Sequence, residues 1–147
     1  MLLFAEKLPP VSNYVRQLTA MPDDIHLLEY PIYREAWENG EYLYRQTIHG
    51  KKMFNGMSIP AAMTPQYFAL LDNSALLLDL ESASNGVSPI FTPPDYRAWI
   101  AEADVDLMII HAGSVAPDNL QRIIPFLTTS FGDPIYDDDR EIVFSLR

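Results

Sequence analysis

The densest collection of groups able to do chemistry lies in residues 42–60, YLYRQTIHGKKMFNGMSIP. Tyr44, Gln46, His49, Lys51, Asn55 and Ser58 fall there, around glycines at 50 and 56 that permit tight turns or close backbone approach. Two readings are open. The segment is a loop that binds a ligand, or it is a surface excursion whose His49 and Asn55 simply bond to backbone. Gly56-Met57-Ser58 matches the first half of a nucleophile elbow, but Pro60 stands where the closing glycine belongs and removes an amide donor. A hydrolase site is therefore set aside.

His26, His49 and His111 are scattered, and none has a second ligand at helical or turn spacing, so no metal site is expected. His111 ends the most apolar run of the chain. In open α/β sheets ligands gather at the carboxyl ends of strands, so a ligand role for His111 is open beside a strand-capping one. Asp137-Asp138-Asp139 lacks the alternation, central glycine and distal glutamate of a calcium loop and reads as a solvated turn. Gly113-Ser114 carries one glycine followed by Pro117, too little for a phosphate-binding turn. No catalytic residue and no cofactor are assigned.

The elements that position these groups alternate. Ser12 or Asn13 caps a helix to about Ala20, and residues 25–32, IHLLEYPI, read as a buried first strand. A helical turn at 42–46 leads to His49-Gly50, with a brief strand at 53–54. Thr64-Pro65 opens a helix, residues 75–80 suit either a helical turn or a short strand, and Thr92-Pro93-Pro94 opens the next helix to about Ala103. Residues 105–111, VDLMIIH, form the best strand, suited to a central position covered on both faces. A helix from Pro117 ends at Gly132, and residues 134–146 read as a hairpin. The expected fold is a single α/β domain over 1–147, a layered α/β/α arrangement with a largely parallel sheet and a C-terminal antiparallel hairpin.

Composition narrows the partners. The chain has 147 residues, 48% of them hydrophobic, and a formal charge of −10. Lys51-Lys52 is its only basic pair, so a phosphate backbone is repelled and nucleic acid is not an expected partner. With no cysteine, disulfides, thiol catalysis and thiolate metal sites are excluded. The apolar start at residues 1–5 stops at Glu6-Lys7, too short to span a bilayer, so the chain as it stands is expected to be soluble.

Three stretches carry a resemblance: Leu27-Leu28-Glu29-Tyr30-Pro31; then Tyr44-Arg45-Gln46-Thr47-Ile48-His49-Gly50-Lys51 with Asn55-Gly56; then 106–111 followed by Phe131-Gly132-Asp133-Pro134-Ile135-Tyr136-Asp137-Asp138. In this order they resemble the soluble C-terminal domain of bacterial multi-spanning membrane glycosyltransferases that use polyprenyl-phosphate sugars. The likeness covers residues 11–146, and the Gln-x-x-His-Gly-Lys segment is its distinctive part. One departure is Ile59 before Pro60, where that family often has arginine; a role for that arginine is not carried over.

The resemblance implies an extracytoplasmic accessory domain, not catalytic by itself, whose partner is the membrane-embedded portion of the same polypeptide. The family's catalytic carboxylate lies in a loop of that portion. A glycan or a lipid-linked sugar is the implied ligand, near Gln46, His49 and Asn55. Without the resemblance, the expectation is a free-standing, cytoplasmic α/β module that binds a small polar ligand.

Overall fold

The computed structural model describes residues 12–32, 40–54 and 65–147. In chain order the elements are α1 (Asn13–Thr19), β1 (His26–Tyr30), α2 (Gly40–His49), β2 (Lys52–Met53), α3 (Pro65–Asp72) and α4 (Ala75–Ser84). They continue with α5 (Pro93–Ala103), β3 (Leu107–His111), a 3₁₀ turn (Ala112–Ser114), α6 (Pro117–Phe131), β4 (Tyr136–Asp137) and β5 (Glu141–Ser145).

Local chemistry starts and stops the helices where side chains can satisfy open amides. Ser12 and Ser74 accept from the amides of Val15 and Leu77 at the heads of α1 and α4. At the head of α5, Asp95 Oδ2 accepts from both the amide and the hydroxyl of Thr92, each at 2.8 Å, and this holds its carboxyl below the usual range. Residues 75–84 thus resolve as helix, with the serine cap deciding between the two readings of that segment. α2 is longer than the single turn expected from sequence, because Gly40 lies inside it.

The five strands form one sheet in the order β2-β1-β3-β5-β4. β1 pairs parallel with β2 and β3, whereas β5 runs antiparallel to both β3 and β4. The sheet is mixed, which corrects the expectation of a largely parallel one. The reason lies in the return from α6. Gly132 ends that helix with φ +84°, and the chain enters β4, a two-residue edge. Asp138 Oδ1 then accepts from the amides of Arg140 and Glu141 at 2.7 and 2.8 Å, a tight turn that sends β5 back between β4 and β3. No crossover helix separates β4 from β5, so β5 meets β3 running the opposite way.

Strict alternation divides the core. Leu27, Leu107, Ile109 and Val143 face α1 and α2, where Tyr14, Leu18 and Tyr42 pack on them. Leu28, Met108, Ile110, Ile142 and Phe144 face the other way, against Leu76 and Leu80 of α4, Trp99 and Ile100 of α5, and Ile123 and Leu127 of α6. β3 is central and wholly buried, as its continuous apolar run requires. Of the aromatics that could have formed a contact surface, Tyr42 completes the core and Tyr30 and Tyr44 are half-buried; Tyr33 and Trp37 lie outside the described residues.

The second layer has its own polar anchor. Asp79 on α4 is fully buried and accepts from the amides of Ile90 and Phe91 and from the Tyr96 hydroxyl at 2.6 Å. It ties the 85–92 loop to the head of α5, and burial together with this carboxylate pushes the Tyr96 phenol upward. Replacing Asp79 with alanine leaves three donors without their acceptor. We expect Asp79→Ala to lower the free energy of unfolding by about 3 kcal/mol in urea titrations; a loss below about 1 kcal/mol would show that water replaces the carboxylate at no cost.

Candidate functional site

Alternation along three adjacent strands places an acid, an imidazole and a second acid on the α2 side of the sheet, where apolar residues would be the default. Glu29 follows Leu27 on β1, His111 follows Ile109 on β3, and Glu141 precedes Val143 on β5. All three lie at the end of the sheet where β1 and β3 finish and β5 begins. Each is at least nine-tenths buried. α2 covers them with Tyr42, Arg45 and His49, residues spaced i, i+3 and i+7 on one helical face.

The contacts form a connected set. His111 Nε2 lies 3.1 Å from Glu29 Oε1, and Arg45 NH1 lies 3.3 and 3.4 Å from the two ring nitrogens. A carboxylate only accepts, so the Glu29 contact places a ring proton on Nε2, while Arg45 NH1, almost equidistant from both nitrogens, packs against the ring and not on a single lone pair. Glu141 Oε1 is 4.0 Å from Nδ1 and completes the surround. The Tyr42 ring stacks on the imidazole, centroids 5.0 Å apart and planes at 25°. Its hydroxyl donates to the Pro31 carbonyl at 2.9 Å, and the Arg45 guanidinium stands 5.9 Å from its centroid.

Beside this set, α2 ends in a lock. Gly50 adopts φ +69°, a left-handed conformation that stops the helix. Gln46 Nε2 donates to the Lys51 carbonyl, and the Lys51 amide donates to His49 Nδ1, both at 2.9 Å. The Lys51 side chain is 1% exposed yet ends on the Met21 carbonyl at 2.6 Å and Asp23 Oδ1 at 3.1 Å. The ammonium thus crosses the layer and fastens α2–β2 to the turn after α1.

Of the residues singled out by sequence, Gln46, His49 and Lys51 share that lock, and His111 lies in the adjoining charged set. Tyr44 is half-buried on another side of α2, and Asn55 lies outside the described residues, as does Ser58. Glu29, Arg45 and Glu141 escaped sequence reasoning as site residues. A signal for two of them existed: each acid sits in a strand at an inward-facing position, where burial demands a partner. His26 belongs elsewhere, on Asp104 near the opposite end of β1, with Asp104 also held by Arg147. Among the described residues, no group of three or more His, Asp or Glu side chains is placed to hold a metal ion.

Topology gives the place its meaning. The chain leaves β1 through α2 on one face of the sheet and leaves β3 through α6 on the other. The ends of these adjacent strands therefore splay their connections apart, which is the switch point where open α/β sheets form ligand crevices. The Glu29–His111 contact spans the two strands at that point. His111 is buried with Nε2 held by Glu29 and the ring covered by Arg45 and Tyr42, so its orientation is fixed. Among the described residues no helix is long and apolar enough to cross a membrane. No protein-family model, curated protein or solved structure matches the chain.

The lock also fixes a pH response. Burial pushes the His49 imidazole below its ordinary value of 6.5, with Lys51 and Arg45 adding to this and Glu29 opposing it. The unfolded chain therefore binds a proton before the folded one does. The contribution of neutral His49 is complete above pH 6.5 and is lost as pH falls from there toward the lowered value. His49→Asn keeps an acceptor for the Lys51 amide and removes the titration. Urea midpoints measured from pH 7.5 down to 5 are expected to fall less steeply in this variant than in the parent; parallel slopes would contradict the assignment.

Proposed function

We propose that this chain is the extracytoplasmic accessory domain of a membrane-bound glycosyltransferase of the class that uses polyprenyl-phosphate sugars, and that it helps bind or orient a glycan or lipid-linked sugar without transferring it alone. The observation that carries the reading is convergence. The stretches that bear the resemblance are far apart in sequence, yet Glu29 of the first, Arg45 of the second and His111 of the third meet where β1 and β3 end, while Gln46, His49 and Lys51 of the second form the adjoining lock at the end of α2.

The reading has a direct test. In the native transcript, the reading frame upstream of the Met1 codon is expected to encode several apolar segments of about twenty residues each. The purified chain is expected to release no glycosylated product from a polyprenyl-phosphate sugar and an acceptor glycan. A native frame that starts at Met1, or turnover by the chain itself, overturns the proposal.

A second reading rests on the same crevice: a free-standing α/β module that binds a small polar ligand between the end of β1 and His111. Its support is the switch-point position of the Glu29–His111 contact. It predicts that a polar metabolite raises the melting temperature of the parent protein and not of His111→Gln, at concentrations well above its dissociation constant.

A further inference from the structure

The end of β1 opens on both faces of the sheet, and the face away from α2 holds a hollow of about 330 Å³. Its walls are Tyr30, Pro31 and Ile32 from the end of β1, Leu71 from the last turn of α3, and Leu77 and Leu78 from α4. This lies at the lower end of the volumes that take small molecules, enough for one six-membered ring and a short substituent. Leu78 stands 38% exposed at the mouth, one of few large apolar side chains left in water.

Among the described residues one charge stands at this hollow. Glu81 follows Leu77 by one helical turn and lines the same space, and its carboxylate has no cationic partner among the described residues. Among the described residues no lysine or arginine lines the hollow. The Tyr30 hydroxyl is engaged with Ser84, and burial raises the phenol, with Glu81 adding to this. The hollow therefore offers an apolar wall and a negative acceptor. A carboxylate or phosphate ligand would meet no countercharge among the described residues, whereas a cation meets Glu81 and is concentrated by the field of a chain carrying −10.

We infer that this hollow binds a small organic cation, a primary amine bearing one aromatic or alicyclic ring, with the ring against Tyr30, Ile32, Leu71 and Leu77 and the ammonium on Glu81. The site is separate from the Glu29–His111 crevice and does not rest on the accessory-domain reading.

Benzylamine is the probe, titrated into the isotopically labelled chain while amide shifts are followed by NMR. Methylamine, which lacks the ring, and benzoate, which reverses the charge, are titrated in parallel. The expected result is saturable shifts at the amides of Tyr30, Ile32, Leu77, Leu78 and Glu81 with benzylamine, and none at these positions with either control. Glu81→Gln, a surface change that leaves the fold intact, is expected to weaken benzylamine roughly two- to fivefold, as befits an exposed charge. Leu77→Phe, which fills the hollow, is expected to abolish the saturable shifts while the amide spectrum elsewhere stays native. The inference is overturned if benzylamine shifts spread linearly over surface acids without saturating, if benzoate or methylamine matches it, or if Glu81→Gln binds it as well as the parent does.

Discussion

The contact between Glu29 and His111 sets terms that the rest of the α2 face must meet. Both side chains are withdrawn from water, and an ionised carboxylate so placed costs several kcal/mol unless charge-bearing or polar partners surround it. The surround comes from the Arg45 guanidinium and the Tyr42 ring stacked on the imidazole, while Glu141 on the neighbouring strand adds a second buried acid beside His111. α2 is consequently held in one rotation, since turning it by a single residue would carry Arg45 away and leave the acid among Leu27 and Ile109. The opposite face has no such constraint. It is an apolar layer whose helices are placed by packing and by the buried Asp79 carboxylate, which has neutral donors for partners.

The polar contacts of α2 cooperate through its C-terminal turn. Gln46 and His49 are spent on the Lys51 backbone, and Lys51 reaches through the layer to the turn after α1. A residue string that in sequence resembles a ligand loop is thus in part a fastening that orients its neighbours. Arg45, within the same string, is the member that faces the strand-end crevice. Adjacent residues of one helix thus fasten its end and cover the buried His111.

The sequence disclosed the parts of the fold that local chemistry decides. The VDLMIIH run had to be a central strand, the Thr92-Pro93-Pro94-Asp95 box had to start a helix, and Gly132 had to stop one. It could not disclose strand direction after α6, because the local pattern of a strand is the same whichever way its neighbour runs; the Asp138 turn, not periodicity, decides that. His49 and His111 were visible as candidates because imidazoles are rare here. Glu29 was hidden inside an apolar run, and its partner stands 82 residues away, a pairing that only the register of β1 on β3 creates.

The two strands at the margins of the sheet, β2 and β4, are each two residues long. A margin that short presents too few open amides and carbonyls to template another strand, and Lys52 on β2 adds an exposed ammonium that resists being stacked against its own copy. The five-stranded layer is therefore finite by construction. Among the described residues, copies of this chain that meet in concentrated solution find side chains at the sheet margins but little bare strand main chain along which to extend the sheet.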